Sequence, residues 1–194
     1  KVISGRSLVT NANVTWTGGS GSFNLTNGTR WNHPSGTVYL DADTDVATDG
    51  SNVLWRVAGA IVKRQGNQNR IFCPLVIDAT GSVEVQVSVI ITFNNVNLLG
   101  SWTVLTNGQW HLTGGYSIFS YGARILGTGA IRMLTNLVIV DVYSHVEMTD
   151  GLFLVAAGTM NLFPGIRWSP VLLQITGGLV LVTPYTIGTE HVLI

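Results

Sequence analysis

The stretch WTVLTNGQWHLTGGYSIFSYGARILGTGAI, residues 102–131, holds two turn marks, Thr106-Asn107-Gly108 and Thr128-Gly129, spaced 22 residues apart. Short runs of strand-forming side chains lie between them. Asn-Gly and Gly-Gly pairs supply the positive φ angles that tight reversals demand, so these are places where the chain turns. Working outward, the same mark recurs. Thr26-Asn27-Gly28 and Thr48-Asp49-Gly50 are 22 residues apart, and Thr149-Asp150-Gly151 follows Thr128 after 21. Two gaps are longer: Thr48 to Thr80 is 32 residues and Thr80 to Thr106 is 26.

Between the turns, side chains alternate. Val83, Val85, Val87, Val89, Ile91 and Phe93 fall in one phase, and Glu84, Gln86, Ser88 and Thr92 in the other. Successive strand side chains point to opposite faces, so this pattern predicts one buried wall and one wet wall. Leu137–Val142, Ile118–Ile125 and Leu179–Val182 read the same way. No long segment carries helical periodicity, and 23 glycines interrupt every candidate. The fold class is all-β. A period near 22 residues suits one three-sided coil of a parallel β-helix, with three short strands and three bends. A coil cannot bury its apolar inner wall alone, so coils must stack, roughly eight or nine of them.

The rival is an antiparallel β-sandwich or jelly roll, since turns as close as Thr17/Thr26 and Thr106/Thr113 would serve hairpins. The segments Trp102–Gly108 and Gly127–Ile131 resemble coils of β-solenoid surface proteins: adhesins, tailspike-like proteins and viral fibre shafts. The resemblance is to an architecture. It implies a rigid shaft or attachment surface and carries no site residues across. The chain reads as a single all-β domain, 1–194, with an irregular N-terminal part, 1–70, set off by the polar run Gly66-Asn67-Gln68-Asn69.

Charged residues make up 10% of the 194, ten basic and ten acidic, and mean hydropathy is +0.36. An average soluble domain carries roughly 25%. A surface so poor in ions does little to keep copies apart, so much of the exterior is expected to lie against protein or beneath glycans. The apolar C-terminal third, with Leu152, Phe153, Leu154, Leu162, Phe163 and Trp168, is the expected contact. That third is broken by Gly158, Pro164, Gly165, Pro170 and Gly177-Gly178, too often for a membrane-spanning helix. Cys73 stands alone, which excludes an intrachain disulfide, and Ile71-Phe72-Cys73-Pro74-Leu75 reads as its apolar burial. The opening Lys1-Val2-Ile3, without Met or a leader pattern, reads as a processed product or an excised fragment.

Candidate chemistry is sparse. Asp41, Asp43 and Asp45, followed by Asp49, offer hard oxygens at alternate positions, a calcium expectation. The run lacks the turn glycine and the distal glutamate of an EF-hand loop, where Val46 and Asn52 stand. Trp16, Trp31 and Trp55 sit where aliphatics are scarce and are candidate sugar-stacking rings. Asn13, Asn24 and Asn27 begin glycosylation triplets. His145-Val146-Glu147 puts an imidazole and a carboxylate on one strand face, yet the histidines do not converge, and no nucleophile, phosphate-loop or zinc motif occurs. Lys63-Arg64 with Arg70 is too small a basic cluster for nucleic acid. The expectation is a non-enzymatic structural subunit or shaft module of an extracellular fibre, filament or virion surface. Its partners are copies of itself, with a trimer favoured for a shaft, or neighbouring structural proteins, and no cofactor is expected beyond calcium. The alternative is a carbohydrate-binding adhesin or a tailspike-like polysaccharide-degrading module.

Overall fold

The computed structural model describes residues 1–17, 21–50, 52–165, 168–169, 172–182 and 192–193. Among these residues every regular element is a strand, and the strand pairs run parallel. The chain winds as a β-solenoid of about 8 turns, with stacked positions about 21 residues apart. Each coil lays one strand on each of three faces. The first face begins with Val2–Ser4, Gly21–Thr26 and Thr44–Thr48 and continues through Ala130–Met133, Leu152–Val155 and Leu172–Ile175. The second runs from Ser7–Val9 through Arg30–His33, Leu54–Val57, Gly115–Phe119 and Val138–Val142 to Leu179–Val182. The third holds Val14–Trp16, Thr37–Leu40, Ala60–Lys63, Arg124–Gly127 and His145–Glu147. Two long strands, Ser82–Thr92 and Ser101–Leu112, bend from the third face onto the first without a break.

Three corners explain the uneven turn spacing. Thr106, Thr128 and Thr149 all stand where the third face passes to the first, and the Thr106 and Thr128 hydroxyls hydrogen-bond at 2.8 Å. Thr26 and Thr48 end first-face strands, whereas Thr80 follows the second-face strand Leu75–Ile77. Gaps measured from one corner to a different one cannot equal a coil. Turns seven to nine residues apart are likewise neighbouring corners of one coil, so the hairpin rival loses its support.

The alternation in Val83–Phe93 is corrected by the bend. Val83 and Val85 point inward as expected, but beyond the corner the buried side chains are Ile90 and Thr92, while Val89, Ile91 and Phe93 turn outward. Ser88 takes a positive φ of 63° there, and the pairing register slips between Val85 and Val87. A bulge inserts an odd residue, so every later side chain changes sides. Similarly Ile118–Ile125 is two strands, ending at Phe119 and resuming at Arg124, because positive-φ Gly122 makes a corner. Leu137–Val142 behaves as read, with Val138, Val140 and Val142 buried.

Inside, stacked rows fill the core. One runs Asn69, Ile90, Trp110, Ile131, Phe153, Leu173 along the first face. Aromatic layers take one ring from each face of a coil. Trp16, Phe23 and Trp31 form a triangle with centroids 5.3–5.7 Å apart. Trp102 and Trp110 stack at 3.7 Å, with Phe119 at 5.3 Å from Trp110. Flat rings span a triangular interior that aliphatics would leave open. The sheets continue past Gly66–Asn69, where Gln68–Ile71 pairs with Ser82–Thr92 on one side and Ile71 with Val46 on the other.

Candidate functional site

Asp41 and Asp43 lie at the corner between Thr37–Leu40 and Thr44–Thr48 and Asp45 within the latter strand, and each meets donors from the next coil. Arg64 donates twice to Asp41, at 2.9 and 2.5 Å. Arg70 does the same to Asp45, at 2.9 and 2.5 Å. Asp43 accepts the backbone N–H groups of Asn67 and Gln68 and the Asn67 side-chain amide. Asp49 accepts the Asn27 N–H at 3.0 Å. The carboxylates are thus arranged as pairs along the coil axis. Among the described residues no three of His, Cys, Asp or Glu come together as a metal ion requires.

Lys63 completes this corner. It occupies an inward position between Leu40 and Val85, is fully buried, and its ammonium donates to the Gln65 carbonyl. Burial pushes its pKa down, and the nearby carboxylates of Asp43 and Asp41 pull it back up. The Arg64 hydrogen bond holds Asp41 below the ordinary 3.8, and the Asn67 backbone donor does so for Asp43. Depressed carboxylate pKa values give stability that is complete above 3.8 and lost as pH falls through the lowered values. The urea midpoint is therefore expected to fall as pH drops below about 4, and Asp43→Asn should flatten that fall. An unchanged slope in the variant would remove the assignment.

The tryptophan expectation is corrected. Trp31 and Trp55 are buried and stack at 4.4 Å with planes 1° apart, so neither ring is available to a sugar. Both stand at inward positions of the second face, in register with each other. Trp16 is half-buried and, with Ile3, Leu8, Val14, Phe23 and Trp31, walls a cavity of about 490 Å³ at the first coil.

Of the glycosylation triplets, Asn13 and Asn27 are exposed and Asn24 is half-buried within Gly21–Thr26. Asn13 accepts the Thr37 N–H, Asn27 donates to Ser4, and Thr29 is buried with its hydroxyl on backbone carbonyls. The contact residues divide. Phe153 and Leu162 are core side chains and drop out of any interface, because they occupy inward phases of their strands. Leu152, Leu154 and Phe163 are half-buried on the outer side, and the Trp168 side chain lies outside the described residues. Cys73 is buried, and burial pushes its thiol up to about 12. A thiol reagent at about pH 8 is expected to leave it unlabelled in the native protein and to label it fully in denaturant. Rapid native labelling would contradict its placement.

Two outer surfaces were not legible beforehand. One is aliphatic: Leu137, Ile139, Leu179 and Leu181 stand outward along the second face, 77%, 43%, 50% and 48% exposed. The other is aromatic and polar. Tyr143 stacks on Phe163 at 4.1 Å and meets Tyr121 at 5.1 Å, beside Asp141, which accepts the Tyr116 hydroxyl and the Asn161 amide. The Asp141 hydrogen bond raises the Tyr116 pKa to about 12. A signal for both existed in spacings of 20–23 residues, as in Tyr121, Tyr143, Phe163, but it becomes readable only once the corners are known.

The chain is a parallel β-solenoid. Comparison with protein-family models, with curated proteins and with solved structures finds no match.

Proposed function

We propose that this protein is a non-enzymatic structural element, a rigid shaft or subunit of an extracellular fibre, filament or virion surface. It associates with copies of itself or with neighbouring structural proteins through the outer walls of its later coils. The observation that carries this reading is the aliphatic row on the second face. Ile139 and Leu179 are two coils apart with only Thr159 between them, and Leu181 flanks Leu179 on the same strand. Charge is distributed the other way. Of the four ion pairs among the described residues, Arg56–Asp78, Arg64–Asp41 and Arg70–Asp45 lie within residues 41–78. Side-by-side docking of that row removes apolar area from water at about 25 cal/mol per Å². No helix among the described residues is long and apolar enough to cross a membrane.

Light scattering and sedimentation test the proposal. The wild-type chain should form a defined homo-oligomer, and a trimer is the form favoured for a shaft. The triple variant Ile139→Ser, Leu179→Ser, Leu181→Ser changes only outward side chains, so it should keep the wild-type circular dichroism while dissociating. A wild-type protein that stays monomeric at high concentration, or a triple variant that assembles normally, would sink the reading.

A further inference from the structure

We propose that the outer wall of the second face between Tyr116 and Phe163 is a binding site for a neutral, hydroxyl-rich oligosaccharide. Parallel stacking builds it from residues one coil apart. Phe119, Val142 and Leu162 point inward in one row, so the residues just before and just after them face outward together. The row one residue earlier brings Asp141 beside Asn161, whose amide nitrogen is 2.6 Å from the carboxylate. The next position places Tyr143 and Phe163 on consecutive coils, as the Phe163 N–H bond to the Val142 carbonyl at 3.1 Å shows. Tyr121 closes the column, tilted 45° from Tyr143 and 70% exposed.

The chemistry of that arrangement selects the ligand. Pyranose rings have one apolar C–H face, which stacks on aromatic rings, and a rim of hydroxyls that need donors and acceptors. Tyr121 offers a ring that protrudes instead of packing into the core, beside Tyr143, which in turn stacks on Phe163. The polar strip beside it contains a carboxylate only 6% exposed and held by Tyr116 and Asn161, so its groups are fixed before any ligand arrives. Preorganised polar groups next to a hydrophobic platform spare the ordering cost of binding. A strand advances about 3.3 Å per residue, so Tyr116–Phe119 spans roughly 10 Å before the corner that carries Tyr121, room for about two sugar units. The fixed carboxylate disfavours acidic sugars by like-charge repulsion.

A glycan array carrying neutral and acidic oligosaccharides provides the test, run on wild type, Tyr121→Ala and Asn161→Ala, with Trp16→Ala as a control at the distant first-coil cavity. Wild type should retain neutral oligosaccharides above acidic ones. Tyr121→Ala should weaken the best of these at least tenfold at an unchanged melting temperature and unchanged oligomeric state, and Trp16→Ala should leave it intact. Absence of wild-type binding, preference for acidic glycans, full binding by Tyr121→Ala, or loss confined to Trp16→Ala would each overturn the assignment. Tyr116 is in register with Ile139 and Asn161 with Leu181, so the sugar wall borders the assembly row. Tyr121 stands at the corner beyond the strand, outside that row, so Tyr121→Ala separates loss of sugar binding from loss of assembly.

Discussion

Truncating Trp55 to alanine is expected to lower stability by about 3–5 kcal/mol, the range for removing a large buried aromatic. Trp55 is fully buried and its ring lies on Trp31 with planes 1° apart. Its backbone is locked by pairing to Trp31 before it and Leu75 after it, so the coils cannot close over the void. A cavity that cannot collapse retains its full cost. Trp16→Ala should cost less, because Trp16 is only half-buried and already borders open space. Urea denaturation followed by circular dichroism measures both. A loss below about 1 kcal/mol for Trp55→Ala would mean that the aromatic column does not hold the early coils together.

The second large effect is expected at Gly127. Its φ is +123°, a conformation L side chains rarely adopt, and an added Cβ would stand 1.9 Å from the Val104 carbonyl oxygen of the preceding coil. That obstacle is main chain held in a sheet, so it cannot swing aside as a side-chain tip would. Backbone strain of about 1–3 kcal/mol adds to the separation of two stacked strands. Gly127→Val should therefore cost more than about 3 kcal/mol or prevent folding of the later coils. Gly122→Ala supplies the contrast. Its φ is +84° and nothing lies within 4 Å of an added Cβ, so only the backbone term remains, about 1 kcal/mol. Equal losses at the two positions would show that inter-coil approach is not what requires glycine at Gly127.

Both effects follow from a fold that was largely legible beforehand. The 22-residue spacing of Thr106 and Thr128 measured one coil, since each coil must offer the same apolar wall to the next and therefore needs nearly the same length of chain. The candidate sites were much less legible. Trp31 and Trp55 looked available because few aliphatics surround them in the chain, yet the rings themselves fill the triangular interior there. Asp41 and Asp45 looked like converging ligands because their partners, Arg64 and Arg70, are 23 and 25 residues away. The later strands read apolar throughout, and only burial separates inward Phe153 from outward Leu152 and Leu154.

Composition and periodicity alone settled that the chain is strands and turns and how far apart its stacked positions lie, because both depend on local backbone preference and on the length of one turn. Which residues meet was decided by the stacking of coils. A side chain's direction past a bend hangs on a single backbone angle, as at Ser88, and its neighbours come from another coil some twenty residues off. No local pattern encodes either.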